Sequence, residues 1–468
     1  MNAIIFSAIL GVVMMLSAVF FKQAKSFLPL AIASVSIILA VAIAEFMGVS
    51  LFTINSASMF SFNRFGLICN VLLTACTLLY LLLSGTDIED VGSSKAEYFA
   101  LLLFVLCGMY TVCNYNNLIM LFIGIEIISI PLYVLTSADK RNLKSNEAGL
   151  KYFLMGAFST GILLLGIAFL YGGLGTFNLS QANVVAKTIT GANDVAYAMP
   201  TSWTVVGMML VFAALSFKVS LAPFHFWTPD VYDGAPTVFT SFMATVVKAA
   251  FFIAFLILFH NLFNTLQHKW IQYAAITAAL TFVIGNITAV FQQSVKRMLA
   301  YSSIAQAGFM LLAIITQNNT AYQGILLYAV AYSVASMGMF GVLTRLKEIS
   351  FEGLNGLGKS HPLLAGCATV FLLSLAGIPL TAGFFAKYYM LLAAIQTGLY
   401  KWLIILALLA AAVSIYYYFR AIQAMYFKPI TITQQVSNGS SLFRFSLLLC
   451  AVIIITLGIM PYLITDRL

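Results

Sequence analysis

Charge is what this chain has least of. Asp, Glu, Lys and Arg together make up 8% of its 468 residues, against about a quarter in soluble domains. A soluble globular protein is thereby excluded. The scarce basic residues are not gathered either. The net charge is +9, but no basic cluster is interleaved with aromatics, so nucleic acid is not an expected partner. Cysteine is sparse and unpaired. Cys69, Cys76, Cys107, Cys113, Cys367 and Cys450 form no CxxC and nearly all lie in apolar runs. We read them as packing residues and expect neither an iron–sulfur cluster nor a metal site. The four histidines do not pair within a helix, which argues against bis-histidine haem. No GxGxxG follows a strand and no phosphate-binding GxxxxGK(S/T) loop is expected, so no nucleotide site is legible. The first residues, MNAIIFSAILGVVMMLSAVF, lack a charged start and a small-residue cleavage site, and read as a retained span.

What is present is hydrophobic: 62% of the residues. At about 20 apolar residues per span, with short loops, the length allows about 14 helices. Apolar runs between breakers place them near 3–21, 27–46, 64–84, 97–113, 116–137, 147–171, 200–222 with a broken continuation to about 236, 238–260, 270–290, 295–315, 321–345, 363–397 with a break, 401–427 and 443–463. The expected fold is an all-α polytopic membrane protein, one integral domain over 1–468. The segment 172–199 is polar and rich in Asn and Gly, and reads as irregular surface. Arg64, Lys187, Lys269, Lys401 and Arg467 fall on one face of that topology. Lys151, Lys218, Lys248 and Lys387 fall on neither, and the remaining fourteen basic residues fall on the other face. The excess marks the cytoplasmic side and puts both termini on the non-cytoplasmic side.

The chain is organised around SFKVSLAPFHFWTPDVYDGAP, residues 216–236. Lys218 lies deep in an apolar helix, and Pro223 must break or kink that helix. Broken backbone at membrane depth survives only where protein encloses it or water reaches it. A second stretch, LAGIPLTAGFFAKYY, carries Gly377, Pro379 and Lys387. Five helices separate the two breaks. An odd number inverts the second copy, so residues 97–260 (helices 4–8) and 270–427 (helices 9–13) are expected to be inverted repeats, each with a broken helix.

A lysine at the bilayer centre costs about 2.5–3.5 kcal/mol. Four of them and Glu126, alone in LFIGIEIISIPLYVL, need partners, water or a function. Burial disfavours an amine's charged form, and a nearby carboxylate favours it. A thousandfold swing in proton affinity is worth about 4 kcal/mol, close to the roughly 4 kcal/mol of moving a proton against about 180 mV. Glu126 is therefore read as a toggle, for Lys218 first. His225 is a candidate shuttle. Lys151 stands one turn past Glu147, and snorkelling to the interface competes with a role in transfer. Lys296 and Arg297 read as a topology anchor, Asp230 and Asp233 as loop or cap residues, and Tyr416–Tyr418 as packing aromatics.

FKVSLAPFHFWTPDVYDGAPT, GIEIISIPLYVL, EAGLKYFLMGAFSTGILLLGIAFLYG, SVKRMLAYSSIAQAGFMLL and AGIPLTAGFFAKYYML resemble the proton-conducting antiporter-like family shared by respiratory complex I and multisubunit cation/proton antiporters. The likeness runs from about residue 95 to 430, and TPDVYDGAP with Lys387 is most similar to the subunit N branch of bacterial NADH–quinone oxidoreductase. The resemblance implies 14 helices in two inverted repeats and proton translocation driven by electron transfer in neighbouring subunits. It implies Glu126, Lys151, Lys218, His225, Lys248 and Lys387 as the proton-transfer residues, with no cofactor in this chain. NADH, FMN, iron–sulfur clusters and quinone would be bound by other subunits. The implied partners are sister antiporter-like subunits and small membrane subunits in a bacterial inner membrane. A subunit of a cation/proton antiporter and a membrane scaffold with merely structural charges are the competing readings.

Overall fold

A computed structural model describes residues 1–21, 26–49, 51–52, 56–189, 202–398, 400–430, 436–437 and 439–466. Every regular element among them is helical, and the few β-bridges are isolated. Twelve helices are long and apolar enough to cross a membrane. Two further apolar helices, Ser202–Lys218 and Pro362–Ala376, are shorter. Each stops at a break and is followed by another helix, Trp227–Gly234 and Ala382–Thr397 respectively. Both expected breaks are present, the first beginning four residues before the proline-containing turn ends the apolar run.

The long helices are apolar in the main, as helices shared between lipid and protein must be. Their starts are marked by polar side chains. Asn63 accepts from the Gly66 amide at 2.7 Å, Asn117 from Ile119 at 2.8 Å, and Asn318 from Ala321 at 2.8 Å. Each such cap is worth about 1 kcal/mol. The segment read as irregular surface, 172–199, is corrected in part: Leu179–Ile189 is a helix, and 190–199 lie outside the described residues. Asn178 caps it, accepting from the Ser180 and Gln181 amides. Leu179 and Ala182 anchor it at helical spacing in the core.

Burial sorts the helices into an inner and an outer set. Thr237–Asn261 and Asn319–Leu343 are enclosed along their full apolar length, and Val295–Thr316 nearly so. Asn2–Phe20, Leu143–Leu174 and Lys401–Phe427 leave most of theirs outside. Close approach is made by small residues. Where Leu143–Leu174 crosses Ser202–Lys218, a Cβ on Gly207 would stand 2.8 Å from the Gly166 carbonyl oxygen, and one on Gly166 would stand 3.0 Å from that of Gly207. Glycine at both positions lets the backbones touch. Within the enclosed Thr237–Asn261 helix, Met243–Val247 forms a π-helical turn directly before Lys248.

Candidate functional site

The first break leaves Lys218 as the last residue of Ser202–Lys218. Residues 219–226 then turn, with Ser220 at φ +63° and a cis bond between Ala222 and Pro223. The first amides of the turn are satisfied internally. The amide of Val219 donates to the Leu215 carbonyl and that of Leu221 to the Ser216 carbonyl. The Ala222 amide donates to Thr281 Oγ1 at 2.9 Å, and Trp227 Nε1 to the Phe217 carbonyl at 3.0 Å. Irregular backbone persists here where protein supplies partners that water would otherwise supply.

Lys218 is buried and points at the Leu118–Thr136 helix. Its Nζ donates to Ser129 Oγ at 2.9 Å and to Tyr133 OH at 3.4 Å. Glu126, Ser129 and Tyr133 share one face by helical spacing, so the carboxylate sits one turn beyond the lysine's contact. Lys218 and Glu126 do not form an ion pair, and Glu126 Oε1 is enclosed without a hydrogen-bond partner. Pro131 lies within the same helix, and its missing amide frees the carbonyl four residues earlier, that of Ile127. A buried carboxylate, a freed carbonyl and an ammonium held through a serine make a site whose charges act on one another without being locked together.

At the second break Lys387 does the work of a helix cap. The last four carbonyls of a helix lack intrahelical partners. In Pro362–Ala376, the Leu373 carbonyl accepts from the amides of Gly377 and Ile378, and that of Ser374 from Gly377. The Leu375 and Ala376 carbonyls are left, and Lys387 Nζ donates to both, at 2.9 and 3.0 Å. The ammonium also lies 5.2 Å from the centre of the Phe309 ring. Gly377, at φ +84°, makes this possible: a Cβ there would stand 3.0 Å from Lys387 Cδ.

A polar line connects this lysine towards Lys248. Gln306 Nε2 donates to the same Leu375 carbonyl at 2.9 Å and to Tyr418 OH at 3.2 Å. Tyr418 in turn shares a short hydrogen bond with Ser302. The next residue, Ser303, accepts from Lys248 Nζ through its carbonyl at 2.7 Å and its hydroxyl at 3.3 Å. Tyr328 OH closes on Gln306 Oε1 at 2.5 Å. Gln306, Tyr328, Tyr332 and Lys387 border a cavity of about 10 Å³, room for about one water.

Lys151 stands apart from both clusters. Its ammonium pairs with Glu147 at 2.7 Å and with Asp230 at 3.0 Å, and Asp230 also binds Arg297 at 2.9 Å. These groups line an open cleft of about 210 Å³ with Lys144 and Asp233. His225 is half-buried in the first turn; its carbonyl accepts from the Thr228 amide at 2.9 Å and its Nδ1 is enclosed without a partner.

Several residues were misread from sequence. Asp230 is an ion-pair centre. Lys296 is buried, its Nζ donating to the carbonyls of Asp233 at 3.1 Å and Ala235 at 2.5 Å. Tyr418 joins the line between two lysines. A lysine two residues after the Ser294 cap, in the first turn of its helix, gave no such signal for Lys296, and tyrosine periodicity gave none for Tyr418. The phosphate-loop spacing GxxxxGK(S/T), not expected in this chain, is matched by letter at GLNGLGKS, residues 353–360. No strand precedes it and the helix it opens, Leu357–Ser360, is four residues long, so the required strand–loop–helix setting is missing.

Comparison with known proteins bears on the whole arrangement. The family described as NADH:quinone oxidoreductase/Mrp antiporter, transmembrane, matches residues 115–415. The chain is 40% identical over 372 residues to NADH-quinone oxidoreductase subunit N of Trichlorobacter lovleyi, covering 78% of this chain and 75% of that one. It is 36% identical over 471 residues to subunit N of Cytophaga hutchinsonii, covering 98% of each. Among solved structures, a chain of respiratory complex I from Thermus thermophilus with bound aureothin superposes with a TM-score of 0.81 at 29% identity, over 99% of this chain and 98% of that one.

Proposed function

The chain belongs to the NADH:quinone oxidoreductase/Mrp antiporter transmembrane family, and from that membership we propose that it is the subunit N of a bacterial NADH–quinone oxidoreductase, a membrane subunit that translocates protons. The observation that carries the assignment of residues is the polar line in which Lys248 holds Ser303, and the adjacent residue Ser302 is joined by hydrogen bonds through Tyr418 and Gln306 to the Leu375 carbonyl held by Lys387. Ammonium groups held by serines and carbonyls, and not by fixed carboxylates, can release and regain a proton. Glu126 sets the charge balance at Lys218 from one helical turn away. Lys248 relays along the polar line and Lys387 hands the proton on. His225, on the turn after Lys218, and Lys151, in the open cleft, serve exchange at the margins.

In this reading the two broken segments each make one span, which with the twelve long helices gives fourteen. Residues 97–260 and 270–427 form inverted repeats about the membrane midplane. The subunit lies in the bacterial inner membrane with both termini on the non-cytoplasmic side. It works beside sister antiporter-like and small membrane subunits. NADH, flavin, iron–sulfur clusters and quinone sit in other subunits, and their electron transfer drives the charge changes here. A cation/proton antiporter subunit is the second reading, favoured only by the breadth of the matched family.

The test uses the assembled complex in inverted membrane vesicles. Lys218→Ala is expected to leave assembly intact and to abolish most NADH-driven proton uptake. Full proton uptake in that variant would favour a structural role for the buried charges. Sodium-dependent exchange without NADH activity would favour the antiporter.

A further inference from the structure

The Arg64–Val91 helix belongs to neither lysine cluster, yet one of its faces is polar along its length. Asn70, Thr74, Thr77, Tyr80, Ser84 and Asp87 follow at steps of three or four residues, the spacing of a single face. Asn70 through Ser84 on this face are buried. At about 1.5 Å per residue the face is about 25 Å long, most of a hydrocarbon core of about 30 Å. A buried helix needs no such stripe for packing.

One end of the face meets a cavity of about 350 Å³ bordered by Ser61, Asn63, Asn114, Asn116, Asn183 and Asn261. Asn114 lies at its inner edge and is almost wholly buried. Its Nδ2 donates to Asn70 Oδ1 at 3.0 Å and to the Tyr110 carbonyl at 2.9 Å. Its Oδ1 has no partner, and neither has Nδ2 of Asn70. One turn further in, Thr74 Oγ1 and Tyr110 OH are hydrogen-bonded at 2.5 Å. Enclosed polar atoms without partners cost about 1–3 kcal/mol each. An orphan acceptor beside an orphan donor, at the wall of a polar cavity, suits a small neutral guest that both gives and takes hydrogen bonds. The amide and hydroxyl groups here carry no charge, and a divalent cation would call for carboxylates.

The register of the neighbouring helix gives this face its bearing on the site. Tyr80 OH donates to the Val238 carbonyl at 3.0 Å, while Asn63 and Asn261 share the cavity. Thr237–Asn261 therefore runs antiparallel to Arg64–Val91, and Lys248 lies near the depth of Thr74.

We propose that the cavity and the Asn114–Asn70–Thr74–Tyr110 file form a water-binding passage that leads from that surface to the depth of Lys248, separate from the line to Lys387. Its use in proton movement rests on the pump reading; its occupancy by water does not.

Cysteine accessibility in the assembled complex tests the passage. With Cys69, Cys76, Cys107 and Cys113 replaced by serine, cysteines are placed singly at Asn70, Thr74, Asn116 and Leu72, and exposed to 2-aminoethyl methanethiosulfonate. The thiolate attacks the reagent's sulfenyl sulfur, forming a mixed disulfide and releasing methanesulfinate. Asn70→Cys and Thr74→Cys are expected to react within about tenfold of Asn116→Cys at the cavity, and Leu72→Cys, on the opposite side of the helix, about a hundredfold more slowly. Positions 70 and 74 as inert as 72 would overturn the passage. Protection of position 70 by saturating sodium or potassium would overturn water in favour of a cation. Native Cys113 also borders the cavity, so its modification in the otherwise unaltered complex gives a readout that no substitution can unfold; an inert Cys113 would count against the passage. Labelling needs no NADH, so its failure and a failure of the pump reading are separate results.

Discussion

Substitutions at Lys387 separate its structural role from its chemical one. In Lys387→Met the Leu375 carbonyl keeps Gln306 as donor, and only the Ala376 carbonyl is left without the ammonium. An unpaired carbonyl costs about 1–3 kcal/mol, and the lost attraction between the ammonium and the helix C-terminus costs up to about 2 kcal/mol. Against this, burial of a charge worth about 2.5–3.5 kcal/mol is relieved. The terms nearly cancel, so the subunit is expected to fold and assemble. In Lys387→Arg the guanidinium retains a cation and donors for both carbonyls but does not release its proton. Both variants should therefore be recovered in the purified complex at near wild-type amounts. Both should show NADH-driven proton uptake, followed by quenching of a pH-sensitive dye in inverted vesicles, reduced at least tenfold. Lys387→Arg is the decisive one. Wild-type pumping by an arginine at this position would refute proton release from residue 387.

Two further outcomes are expected. Arg345 binds both oxygens of Asp87 at 2.7 Å in a largely enclosed site, so Arg345→Leu should cost about 3–5 kcal/mol and deplete the subunit from the complex. The double variant Asp87→Leu, Arg345→Leu should recover most of the yield, measured by subunit stoichiometry after purification. Asp230→Asn weakens a network open to solvent, worth about 1 kcal/mol or less. Its thermal stability should barely change and pumping should fall less than in Lys218→Ala; equal losses would put Asp230 on the transfer path.

The sequence made the architecture legible because lipid leaves few choices. Long apolar runs must be helices, and the breaks at Pro223 and Pro379 could be read from backbone chemistry alone. Buried lysines stood out because they are expensive. What could not be read was direction. Lys218 meets Ser129 and Tyr133 while Glu126 stays one turn away, a matter of helix rotation that no spacing within one helix reports. Lys296 looked like a surface anchor because its burial depends on where Trp227–Gly234 ends, not on its own neighbours. Asp230 looked like a cap because its partners, Lys151 and Arg297, lie 79 and 67 residues away. The polar face of Arg64–Val91 was hidden in a helix whose average composition is apolar.

The wide turn at Met243–Val247 sets the aim of Lys248. A π turn takes in one residue more than an α turn, and one residue is about 100° of rotation. Everything downstream in that helix is swung by that angle relative to an uninterrupted spiral. Lys248, first after the turn, is the side chain whose bearing depends on it most, and its bearing is onto Ser303. A helix tightened to regular pitch would turn the amine into the apolar packing around it. Conversely, a sliding or migration of the bulge by a few positions would rotate the amine towards a different neighbour without any loop or hinge moving. The enclosed helix thus carries a built-in swivel at the one point where a relay would need to change partners.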